Sequence, residues 1–315
     1  MPLNLFLGVP AAIAGQVDQV RVAVAGATGF VGRTLVRALT DAGHAVRALA
    51  RDPSRYDGPG EVVRADVGDC GSLDDAFAGI EVVVYLVHSL DHHDFARRDR
   101  EAALNIAHAA KRSDVGQIVY LGGLGDEDDD LSEHLQSRRE VESLLGTTGV
   151  PVTVLRAGIV IGHGGASWEI LRQLVRRLPV MITPRWVTTR SQPIALVDIV
   201  AYLSGVIGNP TALGQTYDVG GPEVLRYADM LERTAQVMRR PLVILPVPVL
   251  TPGLSSWWLK LITDVDLTTA QALVESMTNE VVVRDATIRD VVARPLLTFA
   301  ESVRVALADR ASDGL

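Results

Sequence analysis

"VRVAVAGATGFVGRTLVRALTDAG", residues 20–43, decides the fold. Its first residues are apolar and β-branched over a length that suits one buried strand. From Phe30 the apolar residues take helical spacing, and Gly43 closes the helix. Between strand and helix stand Gly26, Gly29 and Gly32, spaced G-x-x-G-x-x-G. Glycines there let the backbone turn tightly and approach a pyrophosphate, while the helix start offers free N–H groups to its charge. Thr28, Phe30 and Val31 lie within the same turn and are counted with it.

The same rhythm continues outward. "AVRALAR" (45–51), "VVRAD" (62–66), "VVVYLV" (82–87), "QIVYLGG" (117–123) and "VPVTVLRAG" (150–158) are apolar strand runs. Helical patterns separate them, near 72–79, over 93–112 and from the stretch "EHLQSRREVE" at 133–142. Strands alternating with amphipathic helices predict an α/β, doubly wound parallel sheet covered on both faces. Past residue 160 the rhythm loosens into helices near 166–178, 196–207, 227–239 and 267–277, with Pro-rich connections. The expected organisation is an N-terminal extension (1–18), a nucleotide-binding domain (19–160) and a smaller C-terminal substrate lobe (161–315) interleaved with the sheet.

Bulk properties narrow the function. The chain has 315 residues, 48% hydrophobic, and a formal charge of −8. An acidic balance disfavours nucleic acid as partner, because a phosphate backbone demands a basic face. Cys70 is the single cysteine, so no intrachain disulfide forms and nothing points to an oxidising compartment. Residues 1–16 lack the basic start and long apolar core of a signal peptide. The uncharged run 241–259 contains Pro241, Pro246, Pro248 and Pro252, which argue against a spanning helix. A soluble, cytoplasmic protein is expected, with peripheral membrane contact left open.

The strand ends select the ligand. Arg51 ends the second strand, where a guanidinium suits a 2′-phosphate, so NADP(H) is expected over NAD(H), with Asp52 beside it as the opposing feature. Asp66 and Val67 fall where an adenine edge would lie, and Val87 and His88 near the nicotinamide half. The loop "HSLDHHDF" (88–95) carries histidines and aspartates, but without a second anchored cluster no metal is expected.

In "GATGFVG", "YLVHSL", "LRAGIVIG" and "LPVMITPRWVTTRSQPIALVDI" the chain resembles the atypical short-chain dehydrogenase/reductase superfamily, in particular its NmrA-like and YbjT-like NAD(P)-binding members, over residues 20–310. The resemblance implies a Rossmann-type fold and a serine, tyrosine and lysine that handle the proton. A tyrosine phenol, ordinarily near ~10, would be lowered by a lysine one helical turn away. This chain departs at all three positions. Gly122 and Gly123 stand at the serine site, His134 at the tyrosine and Arg138 at the lysine. None of the six tyrosines has a lysine four residues on.

His134 and Arg138 are therefore the candidate catalytic pair, His134 as general acid/base and Arg138 also on the nicotinamide ribose. By position, the resemblance places Arg185, Trp186, Arg190 and Trp257 around a substrate pocket. Three functions follow as expectations. The first is an NADPH-dependent oxidoreductase acting on a small or hydrophobic carbonyl, enone or quinone, with a lipid-like substrate within reach. The second is a non-enzymatic NADP(H) sensor or assembly factor working through a protein partner or homo-oligomer. The third is a nucleotide-sugar epimerase or dehydratase.

Overall fold

Strand Arg21–Ala25 (β1) sends Val22 and Val24 into one apolar core and Ala23 and Ala25 into another. Both faces are covered, which is why its sequence is a continuous apolar run. The computed structural model describes residues 19–90, 92–125, 130–183, 185–246, 264 and 266–312.

The other central strands are Ala45–Ala50 (β2), Glu61–Arg64 (β3), Val82–Tyr85 (β4), Gln117–Gly123 (β5) and Val152–Ala157 (β6). Strand Thr216–Val219 comes from the second half of the chain and adds to β6. The sheet has seven strands in the order 216–219, β6, β5, β4, β1, β2, β3, all paired in parallel. The order reverses between β1 and β4, opening a crevice at their carboxyl ends where ligands of such Rossmann-type sheets bind.

Helices Phe30–Asp41 (α1) and Leu196–Val206 cover one face; Gly71–Phe77 (α2), Phe95–Arg112 (α3) and Glu133–Leu145 (α4) cover the other. Leu35 and Leu39 of α1 are fully buried, as are Phe77 of α2 and Ile106 of α3. Each such side chain contributes about 1.5–3 kcal/mol.

The second lobe packs helices Ala166–Arg177, Tyr227–Met238 and Phe299–Ser312 around Trp168, Leu174, Met230, Leu231 and Val303. Asp198 ties its tail to the first core: the carboxylate pairs with Arg294 at 2.9 Å and accepts from Leu297 N at 2.9 Å. Beside it, strands Val180–Thr183 and Val243–Pro246 form a two-stranded parallel ribbon. Among the described residues no helix is long and apolar enough to cross a membrane. The N-terminal extension 1–18 and the run 247–263 lie outside the described residues.

Candidate functional site

The glycine turn sits at the crevice. Gly26 adopts φ +92°, the left-handed region open to glycine, and accepts a hydrogen bond from Gly29 N at 2.9 Å. Gly32 is required by contact rather than by backbone angle. A Cβ on it would lie 2.1 Å from the Gly26 carbonyl oxygen and 2.9 Å from Ala27 Cα. Helix α1 thus packs against the loop at a distance that any side chain would forbid. At its start Gly29 supplies no side-chain cap and the first turn has no acidic residue, so the N–H groups at this end remain available to an anion. These features fit a dinucleotide pyrophosphate.

Phe30 links this turn to the second lobe. Its ring lies against Gly162 and Gly165, where a Cβ would come within 3.1 Å and 2.8 Å of it. The loop before helix Ala166–Arg177 is therefore packed directly on the first turn of α1.

Arg51 follows β2 and is exposed. Its neighbour Asp52 is turned away into a cap, where the carboxylate accepts from Ser54 N at 3.2 Å and Ser54 Oγ at 2.7 Å. Those hydrogen bonds hold the Asp52 carboxyl below its usual range. After β3, Asp66 accepts from Gly68 N at 2.9 Å, and the Val67 carbonyl accepts from Asn105 Nδ2 at 2.9 Å. Val87 packs against the core beneath α2 and α3, while His88 is exposed.

Helices α3 and α4 together hold His134 and Arg138. Ser132 caps α4 by accepting from Leu135 N at 3.4 Å, and its own N–H donates to Asn279 Oδ1 at 3.1 Å. His134 lies in the first turn, and its Nδ1 is buried with no hydrogen-bond partner among the described residues. Arg138, one turn on, is buried and points Nη2 at the equally buried Asp99 of α3. Tyr85 and Tyr120 stack beside the pair with ring centroids 5.9 Å apart, and Tyr120 Oη donates to the Arg138 carbonyl at 3.4 Å. Burial pushes the Tyr120 phenol up to about 12 and Tyr85 higher still. Neither phenol exchanges a proton near neutrality.

The glycines at the serine position have a steric reason. A Cβ on Gly123 would meet Leu135 Cδ2 at 2.9 Å and Arg138 Cγ at 3.3 Å. Helix α4 packs closely on Gly123, so a side chain there would require Leu135 and Arg138 to shift.

Burial first, then the Arg138 charge and His88, push the His134 imidazole down to about 3. The ring is neutral at neutral pH, as its burial dictates first and the Arg138 charge reinforces. In the unfolded chain the same group titrates near 6.5. As pH falls, the unfolded state therefore takes up the proton first. The corresponding stability is complete above about 6.5 and is lost progressively toward about 3. Histidine NMR is expected to show His134 still neutral at about pH 5, and His134→Gln is expected to flatten part of the acid-induced decline in the denaturation midpoint. A His134 ring titrating near 6 would contradict this placement.

Of the remaining sequence candidates, Arg190 alone has a described side chain. Arg190 is exposed and pairs with Glu280 at 2.8 and 2.9 Å. Arg185 and Trp186 begin the turn Arg185–Thr188, their side chains outside the described set, and Trp257 lies outside it altogether. In the loop 88–95, Asp94 is committed to ion pairs with Arg97 and Arg98. A groove of about 800 Å³ opens on another side of α4, lined by Gln136, Arg139, Ser143 and Arg156. Glu142 holds Arg156 there at 2.6 and 3.0 Å, and neither His134 nor Arg138 lines it.

Sequence reading missed Asp99. One signal was present: Asp99 stands in the buried stripe of α3, between Phe95 and Ala102–Ala103, where a charge needs a partner. Arg138 stands likewise in the stripe Leu135, Val141, Leu145 of α4.

Comparison with known proteins agrees with this geometry. A family described as NAD(P)H-binding matches residues 26–174. The (4-alkanoyl-5-oxo-2,5-dihydrofuran-3-yl)methyl phosphate reductase of Streptomyces griseus is 30% identical over 232 residues, spanning 70% of this chain and 75% of that protein. Triphenylmethane reductase of Citrobacter sp., complexed with NADP(H), superposes with a TM-score of 0.74 at 19% identity, over 91% of this chain and 99% of that one. An NADPH-dependent quinone oxidoreductase of Escherichia coli, complexed with NADPH, gives 0.73 at 21% identity, over 90% and 98%. At such identities the two structures establish the fold alone.

Proposed function

The chain belongs to the NAD(P)-binding atypical short-chain dehydrogenase/reductase superfamily, and from that premise we propose an NADPH-dependent reductase of a small or hydrophobic carbonyl, enone or quinone. The observation that carries this reading is the glycine cradle at the switch point of the sheet, where Gly26 takes φ +92° and Gly32 admits no Cβ, which suits a dinucleotide pyrophosphate.

In this reading Gly26, Thr28, Gly29, Phe30, Val31 and Gly32 hold the pyrophosphate with backbone N–H groups. Arg51 receives the 2′-phosphate, a role favoured by the commitment of Asp52 to Ser54. Asp66 and Val67 border the adenine; Val87, His88 and Arg138 border the nicotinamide riboside. NADPH supplies the hydride.

His134 acts as a neutral imidazole. A group held at about 3 is not an imidazolium at neutral pH, so its task in reduction is to donate a hydrogen bond to the substrate oxygen. The balancing proton then comes from water. In the oxidative direction the alcohol proton returns to water by the same path, with His134 as hydrogen-bond partner to the oxygen. Burial keeps His134 neutral, and the charge of Arg138, clamped by Asp99, adds to that. The Streptomyces relative, a reductase named for an alkanoyl-oxo-dihydrofuran compound, supports an activated carbonyl substrate.

The test is NADPH oxidation across a panel of enones, quinones and ketones. The wild type is expected to turn over at least one class, with kcat falling about 100-fold or more in His134→Ala while NADPH affinity holds. Unchanged turnover in that variant, or no turnover with any class, would remove the assignment.

A further inference from the structure

The chain repeats one short pattern where nothing in the cofactor site calls for it: "RRLPV" at 176–180 and "RRPLV" at 239–243. In each copy a helix ends near two arginines, a proline follows, and a valine opens a strand. The two strands pair in parallel with Val180 opposite Val243, and Val243 N donates to the Pro179 carbonyl at 2.9 Å. Each arginine pair immediately precedes one of the paired strands, so both pairs enter at the same end of one ribbon.

Alternation along the ribbon separates its faces. Met181, Leu242 and Ile244 pack into the core of the second lobe. Val180, Val243 and Leu245 point the other way and are 52%, 51% and 49% exposed. The solvent face of a half-covered sheet is normally polar. Here it is apolar, and it holds three of the five large apolar side chains most exposed among the described residues.

The arginines beside it are exposed. Arg177 pairs with the highly exposed Asp264 at 3.0 Å. Arg176, Arg239 and Arg240 make no side-chain ion pair among the described residues, in a chain whose net charge is −8. Cations at helix C-termini are ordinary, but a helix end gives no reason for the apolar face next to them.

We infer that this ribbon docks the protein reversibly on an anionic lipid surface, with Val180, Val243 and Leu245 entering the headgroup boundary and the four arginines meeting lipid phosphates. The combination of a small apolar face with a basic rim is what such a surface recognises. Two copies of this chain docked face to face would set arginine against arginine. Bare nucleic acid would leave the aliphatic side chains without a partner. This inference is independent of the reductase reading.

The test is flotation of the full chain with vesicles of phosphatidylcholine, with and without about 30% phosphatidylglycerol. Binding is expected with the anionic vesicles, weakening as salt rises above about 0.1 M. Arg239→Glu/Arg240→Glu is expected to weaken it about ten-fold or more, and Val243→Thr/Leu245→Thr also lowers it. Unchanged thermal unfolding would show that both variants fold. Absence of binding to anionic vesicles, equal binding to both vesicle types, or binding indifferent to both variants would overturn the inference. So would charge-dependent retention on heparin without vesicle binding, which would assign the face to a soluble polyanion.

Discussion

Gly32→Ala is expected to lose NADPH binding by about 100-fold or more, a larger effect than its single methyl group implies. The added Cβ would sit 2.1 Å from the Gly26 oxygen and 2.8 Å from the Gly26 carbonyl carbon, both backbone atoms with no rotamer to yield. Relief requires α1 to move outward by roughly 1 Å, which carries its N–H groups away from the phosphates, and displacements of this size cost about two orders of magnitude. Stability should fall by about 1–3 kcal/mol from overpacking. Gly43→Ala is the control. Gly43 has φ +88° and nothing within 4 Å of a Cβ, so the change costs about 1 kcal/mol of backbone strain and leaves binding untouched. Calorimetry and thermal unfolding of both variants check the contrast. Near-native affinity in Gly32→Ala would mean the cradle holds no pyrophosphate.

Asp99→Ala is expected to destabilise the protein by about 3–5 kcal/mol, because it leaves Arg138 charged and buried without its partner. Tyr85 and Tyr120 wall the site and supply no negative charge in exchange, since burial keeps both phenols protonated. Arg138→Met should cost a similar amount by stranding Asp99. Combining Arg138→Met with Asp99→Leu should recover most of the loss, because an apolar pair of similar volume removes both desolvation penalties. A urea-denaturation cycle over the four proteins measures the coupling. Additive losses would show that the two side chains do not depend on each other.

Much of this molecule was legible because its strongest signals are local. The glycine turn, the strand before it and the helix after it are contiguous, so spacing alone located the cradle. The helix expected over 93–112 forms as Phe95–Arg112, and that near 227–239 as Tyr227–Met238. Contacts between distant segments were not legible. Asp99 and Arg138 are 39 positions apart, and each alone reads as one more charge on a charged helix. The helix Phe299–Ser312 went unread because apolar residues surround it: Val303 and Ala306 are buried, but Val305 and Leu307 blur the stripe. The ribbon Val180–Thr183 with Val243–Pro246 was hidden because its strands are short and prolines flank them. Gly122 and Gly123 were visible in the sequence, whereas the close approach of α4 to Gly123 required the packed structure.

In the proposed function this crevice holds NADPH, read by the glycine cradle at one end and Arg51 beside it. Calorimetric titration with NADPH, NADP, NADH and NAD tests it most directly. The account predicts micromolar-range binding of the NADP pair and markedly weaker binding of the NAD pair, with the preference reversed or erased in Arg51→Glu. Equal or tighter binding of NADH would contradict the role of Arg51, and no binding of any of the four would contradict the function as a whole.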